Sequence, residues 1–156
     1  MARWYRLGLM ALILLVVWGF GTSSSLEAQV VDGKSQPRFT KADNGVITDS
    51  VTGLDWYVSP SPDNTFHQAK AWVESLTVAG GGWRMPTVPE LRGIYQKGAS
   101  RVNMDPLFQP KAAWVWSGQM DDARTVYGFA FYSGLVNSHG LNYGLGRMAF
   151  AVRSHK

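Results

Sequence analysis

The stretch "GGWRMPTVPELRGIY", Gly81 to Tyr95, sets Trp83, Arg84 and Met85 directly ahead of a proline and a helix start. Thr87 and Glu90 have the spacing of a capping box, in which the threonine hydroxyl takes the N3 amide and the glutamate reaches back to the cap. That spacing predicts a short helix over "TVPELRGIYQKG", with Pro89 tolerated in its first turn, Gly98 ending it, and Leu91, Ile94 and Tyr95 facing inward. Pro86 keeps Met85 extended, so Trp83 and Met85 point to one side and Arg84 to the other. We expect Trp83 and Met85 to pack beneath this helix and Arg84 to meet a carboxylate or backbone carbonyls. The stretch therefore reads as scaffold, a strand-like entry into a capped helix, and not as a catalytic loop.

Upstream, "AKAWVESL" belongs to a first helix expected from Phe66 to Val78, opened by a capping box of Thr65 and Gln68 and stopped by Gly80 to Gly82. Phe66, Ala69, Trp72, Val73 and Leu76 recur at helical spacing as its buried stripe. His67, in the first turn, is read as solvent-facing. Before the helix, "RFTKADNGVITDSVTGLDW" (Arg38 to Trp56) alternates short β-prone pieces with turn residues. Asn44-Gly45 suits a type I′ turn and Thr52-Gly53 a second reversal, giving two small hairpins. Asp43, Asn44 and Asp49 are turn-makers in this reading, with no metal site expected.

The last third is β-rich. "WVWSG" (Trp114 to Gly118) and "TVYGFAFYSG" (Thr125 to Gly134) read as strands. "RMAFAVRS" (Arg147 to Ser154) puts Met148, Phe150 and Val152 on one face and Ala149 and Ala151 on the other, with small residues where a helix can approach closely. Between the strands "NSHGLNYGLG", Asn137 to Gly146, reads as a glycine-punctuated loop of the kind that displays binding residues.

The N-terminus carries Arg3 and Arg6, an apolar run from Leu7 to Phe20, and the small, polar "GTSSSLEA" ending at Ala28. This is the pattern of a secretory signal peptide over 1–28, or of an uncleaved N-terminal anchor. Residues 29–37 form a polar linker, and 38–156 are enough for one domain. Loss of Arg3, Arg6 and Glu27 lowers the formal net charge by one from +4. In an exported chain so mild an excess suits an anionic glycan or cell-surface polymer better than nucleic acid, though it is too small to argue strongly for either. The chain has no cysteine, so no disulfide closes a loop and no thiol carries a lipid; aromatic burial and hydrogen bonding must hold the fold.

The order "DNGVITDSVTGLDW", "AKAWVESL", "WRMPTVPEL", "WVWSG", "FAFYSGLV" and "FAVR" resembles the Lcl C-terminal domain family from Arg38 to Arg153. "TGLDW" looks like the family's T-G-L-x-W and "WRMPTVPEL" like its W-R-L-P-x-x-x-E-L, with Met85 in place of leucine. The resemblance implies an α+β, C-type-lectin-like fold, related to formylglycine-generating enzymes: two short helices packed on a small twisted antiparallel sheet with long loops. It also implies a bacterial, exported protein and adhesion to glycosaminoglycan-like polymers.

Motifs of catalysis are missing from the sequence: no thiol, no G-x-S-x-G elbow, no phosphate-cradling glycine loop, no H-E-x-x-H. Formylglycine-type chemistry would need cysteines. Asp121 and Asp122 could serve as paired acids with Glu74 or Glu90 in a hydrolase, the weakest reading. We expect a non-catalytic module without cofactors. Its ligand residues are read as Tyr143, Arg147, Asn137, Asn142, His139, Arg124 and Trp116, with Trp114, Tyr132, Arg101 and Lys111 as further candidates. Aromatic faces stack on sugar rings, amides bond hydroxyls in two directions, and guanidinium groups fork onto sulfate or carboxylate. The expected partner is an anionic polysaccharide outside the cytoplasm, secreted or periplasmic. The runner-up is a protein partner in a periplasmic or membrane-attached complex, with membrane contact only if 1–28 is retained.

Overall fold

The computed structural model describes residues 36–156. The expected signal segment and most of the linker lie outside them. Among the described residues, no helix is long and apolar enough to cross a membrane.

Three strands open the chain: β1 (Phe39–Lys41), β2 (Ile47–Asp49) and β3 (Leu54–Val58), paired antiparallel in sequence order. Both expected hairpins are present. The first turn is not type I′, which needs positive φ at both central residues. Only Gly45 has it (φ 87°), while Asn44 instead accepts the Val46 amide on its side-chain oxygen, in a longer loop.

Helix α1 (Phe66–Ser75) starts with both halves of the Thr65/Gln68 capping box in place. It ends three residues earlier than expected. Leu76 is extended, and a 3₁₀ turn at Val78–Gly80 fills the gap before Gly81 and Gly82, which also have positive φ. Phe66, Ala69 and Val73 are buried, with Trp72 and Leu76 half-buried along the same stripe. Helix α2 (Val88–Gly93) likewise has its full Thr87/Glu90 box, but it stops at Gly93 rather than Gly98.

The remaining strands are β4 (Trp114–Met120), β5 (Thr125–Ala130), β6 (Leu135–Gly140), β7 (Arg147–Met148) and β8 (Phe150–Ser154). They correct two expectations. Asn137 to Gly140 lie in β6, paired with β5, so the loop proper is only 141–146. "RMAFAVRS" is not one strand in one antiparallel sheet. At Ala149 the chain passes from β7, parallel to β4, to β8, antiparallel to β3. The result is two four-stranded sheets, β1-β2-β3-β8 and β6-β5-β4-β7, with few helices. The architecture is α+β and mostly sheet.

The alternation survives the change of sheet because burial on both faces is required throughout. Met148, Phe150 and Val152 enter the main core with Ile47, Trp56, Leu91, Val115 and Phe129. Ala149 and Ala151 point the other way and meet α1, Ala149 beside Phe66 and Ala69, Ala151 beside Val73. The small residues mark the helix approach, as their size predicts.

Trp83 and Met85 do point to one side. They pack with Trp72 and Val73 of α1 and with Leu76 just past its end, however, and not beneath α2. The reason is backbone pairing: Arg84 exchanges both main-chain hydrogen bonds with Val152 (3.0 and 2.9 Å), which lays the segment along β8 with its odd-numbered side chains toward α1. Arg84 forks onto Glu90 at 2.8 and 2.5 Å, tying the strand-like entry to the capping glutamate.

Two buried carboxylates anchor the first sheet. Asp49 receives Arg38 (2.9 and 2.6 Å), Thr52 and the Val51 amide. Asp55 receives Arg153, Thr48 and His155, while Arg153 also donates to the Ala79 and Gly81 carbonyls and covers the Trp83 ring. Burial alone would raise both carboxyl pKa values, but these donors outweigh it and hold both below the ordinary 3.8. A depressed folded-state pKa gives stability that is complete above the unfolded value and lost as pH falls through the folded one.

Two outcomes follow. Trp83→Ala, which also removes the indole bond to the Val78 carbonyl, should cost about 3–5 kcal/mol in a denaturant titration; stability equal to the parent would refute the packing role. The melting temperature should hold steady from neutrality down to about pH 5 and fall below about pH 4, and Asp49→Asn should flatten that acid limb.

Candidate functional site

Trp114 opens β4 and faces the same side of the second sheet as Trp116, two residues on. Opposite Trp116 in β5 stands Gly128, and the Trp114 ring lies over it: a Cβ there would sit 2.2 Å from a ring carbon. Glycine in the strand interior is thus a seat for the indole. The β5–β6 register sets Asn137 opposite Gly128 and His139 opposite Val126, so both side chains emerge on the face that carries Trp114.

The 141–146 loop closes over this face and is tied to the start of α1. The Phe66 amide donates to the Leu141 carbonyl (3.0 Å), the Asn64 amide to the Arg147 carbonyl (3.0 Å), and the Gly146 amide to the Asp63 carboxylate (2.6 Å). Gly144 presses against the Asn64–Thr65 backbone, where a Cβ would come within 2.9 Å of the Thr65 nitrogen. These contacts place Tyr143 and Arg147 beside Trp114 and His139.

The four side chains form one stack. The Arg147 guanidinium lies 4.1 Å from the Trp114 ring centre and 4.8 Å from that of Tyr143. His139 meets the edge of Trp114 at 4.6 Å and stacks on Tyr143 at 5.7 Å, with its ring nitrogens 3.3 and 3.5 Å from Arg147 Nη2. Arg147 is only 8% exposed, makes no ion pair among the described residues, and its Nε has no hydrogen-bond partner there. Burial lowers its pKa, opposed in part by Tyr143 and Tyr132. Burial, then the Arg147 charge, lowers that of His139. The arrangement is a cation held by two aromatic faces and a neutral imidazole, with no anion of its own.

Of the expected ligand residues, Tyr143, Arg147 and His139 come together, and Asn137 is exposed two residues before His139 on β6. Asn142 is exposed on the same loop, and Arg124 is exposed on the adjoining turn, its carbonyl receiving the Leu141 amide. Trp116 is a correction: it is fully buried with Phe66 and Ala149, and its indole donates to the Asn64 carbonyl at 2.7 Å, so it serves the core and cannot meet a surface ligand. Arg147 is also more deeply set than a loop residue would be, because it begins β7. Trp114 replaces Trp116 in the site, its ring lying over Gly128, which pairs in register with Trp116. Tyr132 is exposed in the turn between β5 and β6; Arg101 lines a separate cavity with Asp105 and Gln109, and Lys111 is exposed before β4.

The acids considered for hydrolysis each have separate partners. Glu74 pairs with Lys70, Glu90 with Arg84, Asp121 receives the Tyr127 hydroxyl, and Asp122 caps the Arg124 and Thr125 amides. Among the described residues no cluster of three His, Asp or Glu side chains is placed to hold a metal.

Compared with known families, residues 45–153 match the Lcl C-terminal domain. A comparison with curated proteins finds no match.

The seat of Trp114 gives a direct test. Gly128→Ala should push the indole out of place and cost about 1–3 kcal/mol, as overpacking does. Near-ultraviolet circular dichroism should register the displaced ring, and an unchanged spectrum with unchanged stability would remove Gly128 from this role.

Proposed function

The chain belongs to the Lcl C-terminal domain family, and on that premise we propose that it is an exported, non-catalytic binding module of C-type-lectin-like architecture that recognises an anionic glycan or cell-surface polymer. One observation carries the reading: a mostly buried guanidinium, Arg147, set between Trp114 and Tyr143 without a carboxylate among the described residues. A buried charge without a counter-ion is costly, and the two ring faces offset only part of that cost. A sulfate or carboxylate on a sugar supplies the missing charge, and the ring of the sugar suits the exposed face of Tyr143, which is 49% exposed. Asn137 and Asn142, both exposed nearby, add donors and acceptors for hydroxyls. Export rests on the residue pattern of 1–28, and the module is then secreted, periplasmic or held at the inner membrane.

A second reading, a subunit of an extracytoplasmic complex, draws on the exposed apolar side chains Tyr132, Leu135 and Leu145 on the strands and loop that carry the site. Capture of a protein rather than a polysaccharide from intact cells would favour it.

The glycan reading expects binding to dextran sulfate, weakened by salt, and none to neutral dextran. Tyr143→Ala should reduce the affinity by about tenfold, the worth of one cation-stacked aromatic contact, while leaving the melting temperature nearly unchanged because the ring is half exposed. Equal retention of both polymers, or full binding by the variant, would overturn this assignment.

A further inference from the structure

We infer that His139 is a second, proton-gated ligand contact of the same site: an acidic group docking at Arg147 is met by the imidazolium of His139, so that binding takes up one proton and strengthens as pH falls. The inference rests on the anion-binding reading above and adds to it a residue role and a preference for groups with two or more anionic oxygens.

The geometry carries it. Both ring nitrogens of His139 lie within 3.5 Å of Arg147 Nη2, closer than two cations can rest without a shared anion. With no ligand, only one of the two can be charged, and arginine wins because its proton is held far more tightly. His139 then stays neutral and offers a lone pair to Nη2. The side chains around it are the Trp114 edge from β4, Tyr143 from the loop, Arg147 from β7, and Val126 opposite in β5. Tyr132 also bears on Arg147. Among the described residues no carboxylate forms an ion pair with either cationic group; the nearby Asp63 carboxylate is engaged by the Gly146 amide.

An incoming anion changes the balance. It cancels the Arg147 field that disfavours imidazolium and provides an acceptor for the new N–H. The pKa of His139, held below the ordinary histidine value in the free protein by burial and by Arg147, must therefore rise on binding. By linkage, a group whose pKa is higher in the bound state makes affinity grow as pH falls from the bound pKa to the free one. A lone carboxylate oxygen can satisfy one cation, whereas a sulfate ester or a bidentate carboxylate can satisfy both.

The test uses dextran sulfate, whose charge does not change in this range, and the whole domain. Affinity should be about three- to tenfold tighter at about pH 5.5 than at about pH 8, the reach of one linked proton. His139→Gln should lose the pH dependence, while His67→Gln, altered at an exposed histidine on α1, should keep it. Titration of the His139 ring by nuclear magnetic resonance should show its pKa rising when the polymer is added. Parent binding that does not vary with pH, or a dependence that survives His139→Gln, would overturn this inference alone; absence of binding at both pH values would overturn the anion reading and this one with it.

Discussion

Three main-chain groups of one short segment tie the two sheets together. Arg84 exchanges a pair of hydrogen bonds with Val152 at the open side of β8, and two residues later the Pro86 carbonyl receives the Gly118 amide of β4 at 2.7 Å. The segment between Trp83 and Pro86 is thus a strap from one sheet to the other, and it delivers the chain directly into the cap of α2. Such an approach leaves no room for a side chain on the strand it crosses: a Cβ on Gly118 would stand 2.9 Å from that of Met85. In a chain without cysteine, this strap and the buried passage through Ala149 provide the cross-links that a disulfide supplies in many exported domains.

Local chemistry was legible in the sequence wherever the interaction spans only a few residues. Both capping boxes form as their spacing requires, and both early hairpins turn where their glycines stand. Long-range choices were not legible. Arg147 to Ser154 alternates in the same way whether it lies in one sheet or crosses between two, because period two records which faces are buried and not which strand is the neighbour. The face of Trp83 was right for the same reason, while its partner helix was decided by pairing with Val152, far away in sequence. β6 was hidden because Asn137, Ser138 and Gly140 are weak strand formers, held in place by the register with β5.

The candidate site divides along the same line. Tyr143, His139 and Arg147 stood out as polar and aromatic residues in a glycine-rich stretch. Trp114 and Trp116 could not be told apart by pattern, since both face the same side of β4. The structure separates them by what lies beyond: α1 covers Trp116, and the 141–146 loop leaves Trp114 to Arg147 and His139. The burial of Arg147 follows from its position at the start of a strand, which no composition argument reveals.

The hydrogen bonds that fix the 141–146 loop use only its backbone, at Leu141, Tyr143, Gly144, Gly146 and Arg147, while Gly144 presses on the Asn64–Thr65 backbone and the Leu141 side chain packs with Phe66 and Trp116. The exposed side chains of Asn142 and Leu145 take no part in those bonds, whereas that of Tyr143 stacks on Arg147 and His139. Positions 142 and 145 can therefore be varied without touching what holds the loop, which offers a designer two places at which to reshape the surface beside the Arg147 stack.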